Sequence, residues 1–102
     1  MLNQTILVGR LVDQPQKEEK GASITIAVPR SYKNEDGIYE ADFITARIFG
    51  GVAENTCEYC KKGDLIGIKG RLQSTQMASG YTMELIAEKI TFLSTNKENR
   101  ED

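Results

Sequence analysis

Apolar residues in this chain recur at every second position through a series of short runs, and a single segment breaks that rule. From Ala22 to Val28 the residues Ile24, Ile26 and Val28 alternate with Ser23, Thr25 and Ala27. Between Asp42 and Phe49, Ile44, Ala46 and Ile48 do the same, and between Asp64 and Ser74 so do Ile66, Ile68 and Leu72. Successive side chains of a strand point to opposite faces, so each run predicts a strand with one apolar, core-facing side. Tyr81 to Leu93 alternates through Met83, Leu85 and Ala87, then resumes one residue out of phase at Ile90 and Phe92. That slip predicts a bulge near Glu88-Lys89. Asn3 to Val12 is β-rich, with Gly9 suggesting a bend or bulge. Val52 to Lys62 carries helical spacing instead, with Val52, Thr56, Tyr59 and Cys60 on one side and Gly63 as the stop.

Three strands, a helix and two strands is the order of an all-β, five-stranded OB-fold Greek-key barrel with one helix between strands 3 and 4, although periodicity alone leaves other small β-barrels open. Polar residues from Asp13 to Gly21 predict a turn, and Pro29 ends the second ladder or places it at an edge. Asn34-Glu35-Asp36-Gly37, flanked by Tyr32 and Tyr39, predicts an exposed hairpin turn. The domain is expected over residues 1 to 93, with residues 94 to 102 a short disordered polar tail.

Composition excludes much chemistry. The chain of 102 residues has no histidine, which removes Ser-His-Asp and Cys-His pairs and histidine metal ligation. Cys57 and Cys60 form one Cys-x-x-Cys, half of what a structural zinc site usually requires, and they read as small residues on a helix face. An enzyme is therefore not expected, nor a metal, a cofactor or a small-molecule substrate. No apolar run approaches the roughly 18 residues that span a bilayer, and the N-terminus does not read as a signal peptide, so a soluble, cytoplasmic protein is expected. The formal net charge of −2 demands that any nucleic-acid face be locally basic.

The third strand supplies such a face. With Ile44, Ala46 and Ile48 inward, Phe43, Thr45, Arg47 and Phe49 point outward. Two aromatics beside a guanidinium suit base stacking with phosphate neutralisation, though packing at the barrel ends or a protein interface accounts for the same pattern. On the fourth strand the outward set is Gly67, Lys69, Arg71 and Gln73, and Arg10, Arg30, Tyr32 and Lys33 could join that surface. Lys61-Lys62 has a simpler role as well, beside the negative end of the helix dipole.

These residues, taken in order, resemble the bacterial single-stranded DNA-binding protein family over positions 1 to about 93. The matching stretches include Leu7-Val8-Gly9-Arg10-Leu11, Ile24-Thr25-Ile26-Ala27-Val28 leading into Arg30-Ser31-Tyr32, and Asp42-Phe43 to Ile48-Phe49-Gly50. They continue through Ala53-Glu54, Glu58-Tyr59, Lys61-Lys62-Gly63 and Gly70-Arg71-Leu72-Gln73. The resemblance implies an OB fold, stacking at Tyr32, Phe43 and Phe49, a phosphate role for Lys62, and assembly as a homo-oligomer, with a tetramer favoured over a dimer. The chain departs from the family in lacking tryptophan and in a short segment, Ser74 to Gly80, between the last strands. There Thr75 and Met77 stand at the usual Arg and aromatic positions. Its last residues, Asn99-Arg100-Glu101-Asp102, lack the acidic, aromatic-ended tip that recruits other enzymes in many members.

The function expected is sequence-tolerant binding and protection of single-stranded DNA in replication, repair, recombination or DNA transfer. Tyr32, Phe43 and Phe49 would stack bases, helped by Met77. Arg10, Arg30, Lys33, Arg47, Lys62, Lys69 and Arg71 would meet phosphates. Another reading is a protein-interaction accessory of a primosome or mobile element, as in the primosomal replication protein N family. An RNA chaperone similar to cold-shock proteins fits the fold but not the motifs.

Overall fold

A computed structural model describes residues 1–95. In chain order the elements are β1 (Thr5–Leu11), β2 (Gln16–Glu18), β3 (Gly21–Lys33), β4 (Tyr39–Phe49), α1 (Gly50–Tyr59), β5 (Leu65–Met77) and β6 (Gly80–Ser94). The sheet runs β1-β5-β6-β4-β3-β2, and an additional β1–β3 pairing closes it into a barrel. All pairings are antiparallel except β4–β6. This is the five-stranded OB barrel expected, with α1 between its third and fourth principal strands. β2 is an extra three-residue strand within the segment read as a turn, where Gln16, Lys17 and Glu18 pair with Ser23, Ala22 and Gly21.

Period-two alternation has the packing consequence it should. Ile24, Ile26, Ala46, Ile48, Ile66 and Ile68 point inward and join Leu11, Leu85 and Ala87 in one core. Each fully buried aliphatic side chain contributes about 1.5–3 kcal/mol relative to exposure. The register shift between Lys69 and Gly70 leaves Glu88 as the extra residue on β6, which is the bulge that the slipped alternation implied. Gly9 makes no bulge: its pairing with Ile66 is continuous, and a Cβ there would sit 2.5 Å from the Ala27 carbonyl oxygen. Close approach of β1 to β3, rather than a bend, is what requires glycine here.

Several boundaries move. β3 runs through Pro29 to Lys33, absorbing a register shift between those residues, because the long β3–β4 hairpin projects beyond the barrel as an edge. α1 begins at Gly50 and stops at Tyr59, short of Lys62. Its last turn is replaced by a tight return in which the Lys61 amide donates to the Asp64 carboxylate at 2.8 Å. Ala53, Thr56 and Cys60 are buried, whereas Tyr59 is exposed. Leu72 faces inward by register, opposite the buried Leu85, yet is 42% exposed because the β5–β6 hairpin has by then left the barrel. The presumed loop from Ser74 to Gly80 is mostly ladder, with only Ala78-Ser79 between the strands. Ser94 pairs with Leu65, and of the tail expected to be disordered, residues 96 to 102 lie outside the described residues. No helix among the described residues is long and apolar enough to cross a membrane.

Candidate nucleic-acid interface

The outer face of β3–β4 is built by pairing small residues with large ones. Phe43 stands opposite Ala27, Thr45 opposite Thr25, Arg47 opposite Ser23 and Phe49 opposite Gly21. Short side chains on β3 leave the rings on β4 uncovered, so Phe43 is 69% and Phe49 39% exposed. Gly21 is required twice over: a Cβ there would lie 2.1 Å from the Ile48 carbonyl oxygen and 3.1 Å from the Phe49 ring. Between the rings, the Thr25 and Thr45 hydroxyls bond each other at 2.8 Å. The Arg47 guanidinium lies over the Phe49 ring, 5.3 Å from its centroid. An apolar platform with a cation at its centre can take a base on its π-face and the adjoining phosphate on the guanidinium.

Strand register extends this face. Arg47 is in line with Ile86 on β6, which is in line with Arg71 on β5. Two-residue steps from Arg71 lead along β5 through Gln73 and Thr75 to Met77, so Met77 lies on the same side of the projecting hairpin and is 56% exposed. At the other projecting hairpin, Tyr32 is exposed and the Lys33 ammonium sits 5.6 Å from the centroid of the Tyr39 ring.

The remaining candidates are more scattered. Arg10 is aligned with Ala27 and through it with Phe43, but its guanidinium donates to the Gly63 carbonyl at 3.0 Å. Lys62 lies beyond α1, its amide donating to Gln14 Oε1 at 2.8 Å, at the end of the barrel rather than on the β3–β4 face. Lys69 stands between Ile6 on β1 and Lys89 on β6, round the barrel from the rings. Two features escaped sequence reading. Lys89 doubles the charge beside Lys69, and only the bulged register brings the two together. Tyr81 and Met83, exposed at 74% and 67%, line the other side of the β5–β6 hairpin. Met83 continues the alternation of Leu85 and Ala87, but the hairpin carries it beyond the barrel.

Carboxylates set the electrostatics. Arg30 is gripped by Asp42 at 2.8 Å and Glu40 at 3.1 Å. The hydrogen bond from Arg30 holds the Asp42 carboxyl below its ordinary range against an opposing effect of desolvation, and Asp42 in turn raises the Arg30 pKa. Arg47 meets Glu84 at 3.4 Å and Glu18 at 3.5 Å, and Arg71 meets Glu88 at 3.7 Å. Lys33, Lys69 and Lys89 have no such carboxylate among the described residues. The two thiols are free, Cys60 in the core and Cys57 half-buried, and burial pushes the Cys60 thiol pKa up, helped by Asp64 and Cys57. Among the described residues no cluster of three or more metal-ligating side chains occurs.

Residues 2–93 match the family model described as the single-strand binding protein family. Single-stranded DNA-binding protein B of Bacillus subtilis (strain 168) is 37% identical over 103 residues, covering 91% of this chain and 91% of that protein. Single-stranded DNA-binding protein 1 of Staphylococcus aureus (strain Mu50) is 42% identical over 109 residues, covering 97% of this chain and 70% of that protein. Among solved structures, the wild-type single-stranded DNA binding protein from Thermus aquaticus matches with a TM-score of 0.75 at 25% identity. That match covers 91% of this chain and 50% of the other, so this chain spans about half of that structure.

Proposed function

This chain belongs to the single-strand binding protein family, a family of non-catalytic DNA-binding proteins, and from that premise we propose how its own residues hold unpaired DNA. Bases stack on Phe43 and Phe49, and on Tyr32 and Met77 where the strand passes the two hairpins. Phosphates meet Arg47 at the centre, with Arg71 in line with it across β6, Arg30 and Lys33 out along the β3–β4 hairpin, and Arg10, Lys62 and Lys69 farther round the barrel. The observation that carries this reading is the pair of rings left open by Ala27 and Gly21 on either side of a guanidinium. Stacking contributes about 1–3 kcal/mol per base and tolerates any sequence.

The cellular setting proposed is protection of single strands in the cytoplasm during replication, repair, recombination or DNA transfer. The working unit is a homo-oligomer, a tetramer in preference to a dimer. In support of assembly, β1 pairs with β3 only at Arg10 and Leu11 among the described residues. Its Ile6 and Val8 are exposed, and Val8 pairs with Gly67, over which the exposed Leu93 side chain lies. Unpaired edges and exposed aliphatics favour a further protein surface. Sedimentation equilibrium measures the state directly, and a monomer at micromolar concentration refutes assembly.

Titration of labelled oligo-dT at several salt concentrations tests binding. The expected result is tight, salt-sensitive association that Phe43→Ala with Phe49→Ala abolishes. Micromolar protein that ignores oligo-dT at low salt refutes it, and a double variant that still binds DNA but loses a protein partner favours the accessory role instead.

A further inference from the structure

Arg47, the cation at the centre of the platform, is already occupied. Glu84 reaches its Nη1 from β6 at 3.4 Å, and Glu18 reaches its Nε from β2 at 3.5 Å. The two carboxylates come from separate elements on either side of β4. Glu18 pairs with Gly21, which pairs with Phe49, so Glu18 lies two strands from β4 and reaches Arg47 diagonally across β3. The Phe49 ring covers a further side of the guanidinium.

A phosphate that approaches Arg47 therefore meets two negative charges at contact distance. Like charges so close repel wherever solvent screening is partial, and although the five N–H groups of a guanidinium can reach several acceptors, its single positive charge cannot balance two carboxylates and a phosphate. The phosphate therefore gains most from Arg47 when a carboxylate withdraws. Glu18 can leave: β2 is three residues long, lies at the end of the sheet, and its side chains are exposed. Resting on the proposed DNA-binding reading of this face, we infer that Glu18 and Glu84 are built-in competitors of the DNA phosphate at Arg47. They set the affinity and the salt dependence of the site, and DNA binds there by exchange rather than by simple addition.

Exchange has a distinct signature. A phosphate neutralised by a free cation releases its condensed counterion, and each such contact on a single strand contributes about −0.7 to the slope of log affinity against log salt. When the cation is first taken from a carboxylate, added salt screens the charge so uncovered and favours the exchange, which reduces the contribution of Arg47 to the slope. Removing the competing charges restores it.

The experiment measures oligo-dT binding by the intact chain across a salt series for wild type, Glu18→Gln, Glu84→Gln and the double variant. Glu58→Gln serves as a control of equal charge change on the exposed side of α1. Each competitor variant is expected to bind about two- to fivefold more tightly at low salt, the range of one exposed ion pair. The double variant should steepen the salt slope by up to about 0.7, and the control should do neither. In an Arg47→Gln background the same substitutions should bring no gain, because the cation they release is gone. Equal or weaker binding by the double variant, or an undiminished gain without Arg47, overturns this inference while leaving DNA binding intact. A wild type that does not bind at all overturns the DNA-binding reading itself.

Discussion

Replacing Phe43 by alanine separates what the ring does for DNA from what it does for the barrel. The ring is 69% exposed, whereas Phe49 is 39% exposed. A phenylalanine can bury on the order of 150–250 Å². About a third of that at Phe43, at roughly 25 cal/mol per Å², corresponds to about 1.5 kcal/mol of folding stability as an upper bound. About three-fifths at Phe49 corresponds to about 3 kcal/mol on the same scale. Lost stacking, by contrast, costs about 1–3 kcal/mol at either ring, or about 5- to 150-fold in affinity. Phe43→Ala should therefore weaken oligo-dT binding by one to two orders of magnitude while remaining folded, and Phe49→Ala should lose both binding and stability. Urea unfolding gives the first quantity and fluorescence anisotropy at fixed salt the second. Unchanged affinity in a folded Phe43→Ala variant, or a stability loss as large as that of Phe49→Ala, would refute the reasoning.

Ile48, fully buried on the inner side of the same strand, is the converse case: Ile48→Ala should cost about 2–5 kcal/mol in urea unfolding. The Asp42 pKa is depressed by Arg30, so the ion pair contributes fully above the ordinary aspartate value of about 3.9 and is lost as pH falls through the lower folded value. A carboxyl chemical-shift titration should place the Asp42 midpoint below the ordinary value and return it there in Arg30→Gln. Cys60 has a raised thiol pKa and lies in the core, so native iodoacetamide labelling followed by mass spectrometry should find Cys57 modified first and Cys60 only after unfolding. Equal labelling rates would sink that ordering.

Much of the candidate site was legible because its logic is local. The outward set Phe43, Thr45, Arg47 and Phe49 follows from period-two spacing against Ile44, Ala46 and Ile48, and the exposure of both rings agrees with it. What spacing could not say is which groups arrive from elsewhere. Residues 18, 47 and 84 converge on one guanidinium although they are far apart in the chain, and no local pattern announces that Arg47 is shared between two carboxylates. Lys89 was passed over for the same reason, since its place beside Lys69 depends on the one-residue bulge at Glu88. Leu72 shows the opposite failure. Its parity was read correctly, but parity gives direction and not cover, and the barrel has ended where Leu72 points inward.

The amino-acid sequence by itself determined that this chain makes short amphipathic strands around one helix, which face of each strand is apolar, and that β4 carries two rings and a guanidinium outward. Those are consequences of backbone geometry within a few residues. Tertiary structure alone decided that Ala27 and Gly21 stand opposite the rings and keep them open, that the hairpins outrun the barrel, and that the central cation is held by acids from β2 and β6. Each of these depends on strand register and closure, which bring distant residues within a few ångströms and which no local run of side chains encodes.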